Sequence, residues 1–127
     1  MNSINHPAHY NKTERECITV VEHMRFNTGN AMKYLWRLGH KGLPQEDCGK
    51  ADWYTTRELS RSVRAVSPSV PDFDVAAYVL TAFPGPRGKA MKHLWYADKN
   101  PQDTSHLMLA IENIERLRAG LQAGLLP

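Results

Sequence analysis

The chain carries one phrase twice. Gly29-Asn30-Ala31-Met32-Lys33-Tyr34-Leu35-Trp36 returns as Gly88-Lys89-Ala90-Met91-Lys92-His93-Leu94-Trp95, with six of eight positions identical at an offset of 59 residues. The same offset sets Val20 on Val79, Val21 on Leu80, Cys48 on Leu107 and Ala51 on Ala110. Chance similarity rarely holds register across three separated segments, so the pattern predicts a duplicated unit of about 60 residues, its two copies packed on each other. A chain of 127 residues suits one such domain, or two very small units sharing a core, and excludes a multidomain enzyme. The first unit is expected over 1–66 and the second over 74–127, with 67–73 as the linker.

Each unit reads as three helices, and the predicted fold class is all-α. In the first, Glu16 to Phe26 carries Ile18, Val20, Val21 and Met24, and about Asn30 to Leu38 places Ala31, Leu35 and Leu38 on one face. Gly39-His40-Lys41-Gly42-Leu43-Pro44 then breaks the helix. Pro44 fits the first turn of a third helix that runs to about Val63, with Glu46 and Asp47 well placed near its N-terminus. The second unit repeats the plan over Asp74 to Ala82, Gly88 to Ala97 and Asp103 to about Leu121, Asp103 or Thr104 capping the last helix. Ile18-Thr19-Val20-Val21 is β-prone, but its flanks and its counterpart favour helix. Trp36, Trp53 and Trp95 are assigned to the core.

Composition narrows the class further. Hydrophobic residues make up 42% of the chain, which is ordinary for a globular protein. The longest apolar run, Val75 to Leu80, falls far short of the ~20 residues that span a bilayer. The N-terminus lacks the apolar stretch of a secretory signal. Cys17 and Cys48 form neither a CxxC pair nor a disulfide framework, and read as reduced thiols of a cytoplasmic protein. No GxxxxGK[ST], GxSxG or HExxH occurs. The doubled acidic helices of an all-α nucleotide pyrophosphohydrolase are missing too.

The net charge of +3 is unevenly spread: residues 1–64 hold ten Lys/Arg against seven Asp/Glu, and residues 65–127 hold six of each. Lys33, Arg37 and Lys41 at i, i+4, i+8 are expected to stack on one helix face, with no acid between Glu22 and Glu46 to neutralise them. Gly29-Asn30 would open the helix with unpaired N–H groups, a further anion-friendly feature. At the repeat offset Lys33 becomes Lys92, but Arg37 becomes Tyr96, Lys41 becomes Asn100, Asp47 becomes His106 and Lys50 becomes Leu109. A solvated basic face is the plain alternative. Loss of charge on the copy that keeps the scaffold instead points to one functional face, on copy one. The excess suits a nucleotide better than duplex DNA, which would need many phosphates neutralised. Tyr34 and Tyr54 can stack on a base, though Tyr54 fits a core position equally well. His6-Pro7-Ala8-His9-Tyr10 pairs two His at i, i+3 without a familiar zinc spacing. This segment is expected to fold over the core and hydrogen-bond a ligand or the backbone, and no metal site is assigned.

Four motifs in order resemble a known family: His6-Pro-x-His9-Tyr10; Glu16-Cys17-Ile18; Gly29-Asn30-Ala31-Met32-Lys33-Tyr34-Leu35-Trp36-Arg37-x-Gly39-x-Lys41; and Asp47-x-x-Lys50-Ala51-x-x-Tyr54. Together they are similar, over roughly residues 5–60, to a small phage-encoded domain catalogued either as of unknown function or as the SaV-like, or P-loop-less nucleotide kinase, family. The second half lies outside that single-domain pattern, as a degenerate copy. The resemblance implies a phage enzyme of the infected cell's cytoplasm that phosphorylates deoxynucleoside monophosphates from a nucleoside triphosphate. Its polar motif residues fall on His6, His9, Tyr10, Glu16, Asn30, Lys33, Tyr34, Arg37, Lys41, Asp47, Lys50 and Tyr54.

Phosphoryl transfer rests mainly on positioning and charge stabilisation. The expectation is therefore that Lys33, Arg37 and Lys41 clamp phosphates, Arg37 bidentately, while Tyr34 or Tyr54 contacts base or sugar. Glu16 or Asp47 would bind a Mg²⁺ brought by the nucleotide or orient the acceptor phosphate. Lys33, Arg37 and Asp47 are the catalytic candidates. His6, His9, Tyr10, Glu16, Asn30, Tyr34, Lys41, Lys50 and Tyr54 are the substrate-binding ones. Expected partners are nucleoside mono- and triphosphates and further copies of the chain, with no membrane and no nucleic acid. The rivals are a non-catalytic binder sequestering nucleotides, such as signalling nucleotides of host defence, an adaptor using the helix after Gly29 on nucleic acid, and an interaction protein with no ligand.

Overall fold

A computed structural model describes residues 16–61, 64 and 69–125. Among them lie six helices and no strand: α1 (Ile18–Val21), α2 (Phe26–Trp36), α3 (Pro44–Leu59), α4 (Val75–Ala82), α5 (Pro86–Lys99) and α6 (Ser105–Gln122). The fold is all-α, as the periodicity predicts. Helix α2 packs on α3, α5 on both α4 and α6, α3 on α6, and α2 on α5. One apolar cluster draws on all six helices, from Val20 in α1 to Leu117 in α6. Among the described residues no helix is long and apolar enough to cross a membrane, and both cysteines are free thiols.

Burial follows the repeat offset. The pairs Val20/Val79, Ala31/Ala90, Met32/Met91, Leu35/Leu94, Cys48/Leu107 and Ala51/Ala110 are all fully inaccessible, and so is a pair outside the matched motifs, Thr55/Ile114. The sequence match therefore coincides with a match of packing positions, in two runs of three helices.

Several expected boundaries are corrected. Arg25 is extended and serves as the N-cap of α2, so the helix expected over Glu16 to Phe26 shrinks to the single turn of α1. Helix α2 begins at Phe26 rather than Asn30, and Gly29 donates its N–H to the Arg25 carbonyl at 2.7 Å. Gly29 and Asn30 thus lie inside the first turns and offer no open helix start. At the other end α2 stops at Trp36, short of Leu38, because the chain turns through Gly39 at φ +79°. Helix α3 opens on Pro44 as expected and ends at Leu59. Helix α5 opens two residues before Gly88, on Pro86 after Gly85 at φ +82°. Asp103, not Thr104, supports the start of α6, its carboxylate accepting from the Ser105 N–H at 2.9 Å.

Polar side chains lock the two halves together end to end. Arg87, at the start of α5, donates from Nε to the Leu35 carbonyl at 2.7 Å and from Nη2 to the Trp36 carbonyl at 2.8 Å. These carbonyls close the last turn of α2, which a cation complements. Burial lowers the Arg87 pKa to about 10, so it stays charged at neutral pH. Asp98, near the end of α5, accepts from the Thr28 hydroxyl at 2.6 Å and the Arg25 N–H at 3.2 Å. It supplies the negative charge that the first turn of α2 lacks. Burial pushes the Asp98 carboxyl up, and the Thr28 and Arg25 donors pull it back. Arg64 covers the end of α5 in turn, reaching the Ala97 and Pro101 carbonyls at 2.8 and 2.9 Å. Buried Glu58 ties this system together, pairing with Arg25 and with Arg64 and accepting from Asn27 at 3.1 Å.

The two glycines of the repeated phrase do different work. A Cβ at Gly88 would sit 2.0 Å from the Phe83 carbonyl oxygen and 2.7 Å from that of Val79, whereas one at Gly29 would meet nothing nearer than 3.6 Å. Gly88→Ala is therefore expected to cost more than about 2 kcal/mol through forced overpacking. Gly29→Ala should be neutral or stabilise by up to about 1 kcal/mol through helix propensity. Urea denaturation of the two variants checks this; equal effects would contradict the asymmetry.

Candidate functional site

The site forms where the end of α2 meets the outer face of α3. The expected stack of Lys33, Arg37 and Lys41 does not form, because the helix ends first. Lys33 lies in the last turn of α2, Arg37 is its C-cap at φ −102°, ψ 23°, and Lys41 lies beyond the Gly39 turn. A different trio converges instead. The cationic groups of Arg37, Lys33 and Lys50 lie 4.8, 5.1 and 5.4 Å from the centroid of the Tyr34 ring. Lys50 comes from α3, whose packing on α2 brings it across.

A run of aromatic rings continues from Tyr34. Tyr54 lies nearly parallel to it, with centroids 6.0 Å apart, and Phe26 and Trp53 meet Tyr54 edge-on at 6.1 and 5.1 Å. Trp53 is 61% exposed and Phe26 75%. The core assignment of Trp53 is thus overturned, while Trp36 and Trp95 are buried. The physical reason is helix geometry: Trp53 stands at i+3 from exposed Lys50 on the solvent-facing side of α3, and Tyr54, half-buried at i+4, lies at the border of the core. That spacing could have found Trp53, as could its repeat partner, the exposed Glu112.

Among the described residues, none of Lys33, Arg37 and Lys50 forms an ion pair. Arg37 Nε is buried and has no hydrogen-bond partner among them. Contacts to a Tyr ring hold a cation in place at only about 0.5–1 kcal/mol each and do not discharge it. Cys17 lies close enough to feel both Lys33 and Arg37, yet burial dominates and pushes its thiol up to about 12. It is no nucleophile at neutral pH. A shallow pocket of about 190 Å³ adjoins the patch, lined in part by Phe26, Asn30 and Lys33. A larger recess of about 350 Å³, between Gly85 and Leu121, shares no residue with it.

The remaining candidates fall in different places. Asp47 is buried and accepts the Gly39 N–H at 2.8 Å. It clasps the turn that follows Arg37, so its carboxylate is engaged in structure. Asn30 donates from Nδ2 to the Phe26 carbonyl at 2.7 Å on the pocket wall. Glu16 is half-buried beside Cys17, and Lys41 is exposed on the loop before α3. His6, His9 and Tyr10 lie outside the described residues. In the second half, the positions of Tyr34, Arg37 and Asp47 are taken by His93, Tyr96 and His106, which cluster in their own right. Burial, with Lys92 and His106 nearby, pushes His93 down to about 4.

A family described as a protein of unknown function, DUF3310, matches residues 4–56. That span contains all four motifs and every residue of the patch, and it stops within α3, leaving the second half outside. No curated protein and no solved structure matches the chain.

The Asp47 clasp is testable by itself. Asp47→Ala should cost about 1–3 kcal/mol, the usual penalty for orphaning a buried donor, as read by urea denaturation. It should also loosen Arg37, seen as faster amide hydrogen exchange from Arg37 to Lys41. Unchanged stability and exchange would show that the turn holds without the carboxylate.

Proposed function

We propose that the Tyr34 patch binds a nucleotide, its phosphates held among Lys33, Arg37 and Lys50 and its base against the exposed rings of Phe26 and Trp53 and the half-buried ring of Tyr54. The observation that carries this reading is the charge left over. Among the described residues, three cations share one aromatic ring with no acid paired to them, and Arg37 keeps a buried N–H without an acceptor. A multiply charged, planar-based ligand supplies both missing partners, through charge-assisted hydrogen bonds and stacking.

We read the nucleotide further as a substrate. In this reading the chain is a phage nucleotide kinase-like enzyme, passing a phosphoryl group from a nucleoside triphosphate to a deoxynucleoside monophosphate in the infected cell's cytoplasm. The motif resemblance supports it, and so does the chemistry, since a cluster of cations is the kind of group that stabilises charge on the transferred oxygens. Mg²⁺ would come with the nucleotide. Further copies of the chain would enclose the shallow site across a symmetric interface. A second reading, a binder that sequesters nucleotides without turnover, is favoured by one fact: the carboxylate of Asp47 is already committed to Gly39.

Trp53 offers a built-in reporter. Titration with a deoxynucleoside monophosphate should quench its fluorescence saturably, and Arg37→Ala should weaken binding about 10- to 100-fold, the worth of one or two hydrogen bonds to a charged group. Full affinity in Arg37→Ala would remove Arg37 from the site, and no quenching at millimolar nucleotide would sink the binding reading. Incubation with triphosphate and monophosphate then separates the two versions. A diphosphate product supports the kinase; binding without product supports the sequestering protein.

A further inference from the structure

We propose that His93 and His106 form a binding site for a divalent transition-metal ion, Zn²⁺ foremost, on the face of the second half that corresponds to the Tyr34 patch. The two Nδ1 atoms lie 3.2 Å apart, and the rings are 29° from parallel with centroids 5.4 Å apart. Two imidazole nitrogens bound tetrahedrally to one Zn²⁺ at about 2.0–2.1 Å stand about 3.3–3.4 Å from each other. The observed pair is thus spaced as two ligands of one ion. A direct N–H···N hydrogen bond satisfies the same distance, but it uses a proton where the ion would use both lone pairs.

The pair is built in by its scaffold. His93 lies within α5 and His106 in the first turn of α6, each followed by a fully buried leucine, Leu94 and Leu107. Packing of α5 on α6 therefore sets the spacing before any ion arrives, which lowers the ordering cost of binding. Burial keeps the His93 ring uncharged at neutral pH, with a lone pair to give. Tyr96 flanks His106, with ring centroids 5.5 Å apart. Among nearby charges, Asp103 is close enough to feel His106 and favours a cation, while Lys92 beside His93 opposes one. No group of three or more His, Cys, Asp or Glu able to hold a metal lies among the described residues. With two protein ligands the ion would keep water in its two remaining tetrahedral positions, one more than open zinc sites with three protein ligands leave. In the first half the same two positions carry Tyr34 and Asp47, and only the second half holds an imidazole at both. The histidine pair would bind its ion whether or not the Tyr34 patch takes a nucleotide.

The test is a Zn²⁺ titration of the full chain, followed by ¹⁵N shifts of the histidine side chains. The expected result is saturable 1:1 binding at micromolar Zn²⁺, with the Nδ1 resonances of His93 and His106 moving to metal-bound values. His93→Gln and His106→Gln should each weaken binding by more than about tenfold, the least that loss of even an outer partner costs a metal site. The paired variant His6→Gln/His9→Gln should bind as the parent does. Three results would overturn the proposal: no saturable binding at millimolar Zn²⁺, Nδ1 shifts confined to other histidines, or binding that survives His93→Gln and His106→Gln but is lost in His6→Gln/His9→Gln. The ¹⁵N shifts are read on the parent chain, so they decide for or against the site even if a variant does not fold.

Discussion

Helix α2 is held at both ends by one neighbour, and the rest of the architecture depends on that grip. Asp98 meets its first turn and Arg87 its last carbonyls, each at the end whose partial charge it opposes. Both side chains come from α5, from opposite ends of it, so the two helices must run antiparallel and in one register. A hydrogen bond to a charged group contributes about 1.5–3 kcal/mol, and stranding its buried partner costs a comparable amount. Few apolar contacts could specify register so narrowly, since sliding by one turn would leave Asp98 and Arg87 buried without partners. Arg64 and Glu58 extend the same logic to the end of α5 and the end of α3.

That system sets two groups of three basic residues apart. Arg25, Arg64 and Arg87 are consumed by carboxylates and helix carbonyls, and they hold the halves together. Lys33, Arg37 and Lys50 have no such partner among the described residues and gather on Tyr34, at the end of α2 that Arg87 fixes. The modest net charge of +3 thus hides a sorted population, part structural and part available. The two halves share buried positions and differ on their outward faces. One face carries cations and aromatic rings, the other two histidines and a tyrosine.

Much of the fold was legible because it lies in buried repeats. Ala31, Met32, Leu35 and Trp36 match Ala90, Met91, Leu94 and Trp95 in the sequence, and they match in the core. The helix class follows from their spacing. What escapes the sequence are features set by tertiary partners. Nothing local marks Arg25 as a helix cap, since the acid that receives its N–H is Asp98, 73 residues away. With that start misplaced, Gly29-Asn30 reads as an open helix terminus. The end of α2 is equally hidden, because Gly39 adopts a positive φ that its glycine only permits. A basic stripe read straight along a helix therefore dissolves at Arg37, and Lys50 takes the place expected of Lys41. Trp53 is drawn into the core by analogy with the other two tryptophans, although the repeat pairs it with Glu112 and not with a core residue. Lys33, Tyr34, Arg37, Lys50 and Tyr54 are recognisable from sequence and stand together; Trp53, in the same patch, is marked by its spacing from Lys50 and its pairing with Glu112, whereas nothing marks Phe26.

If the cations left over from the interlocking of α2 and α5 form an anion site on the first half, backbone amides there must respond to a nucleotide. Amide shifts of the ¹⁵N-labelled chain, recorded while a deoxynucleoside triphosphate is added, show this without an assumption about turnover. Saturable shifts are expected at Phe26, at Lys33 to Arg37 and at Lys50 to Tyr54, with residues 88–110 unmoved. Saturable shifts centred on the second half, or none anywhere at millimolar nucleotide, would mean that the cations of the Tyr34 patch are not a nucleotide site.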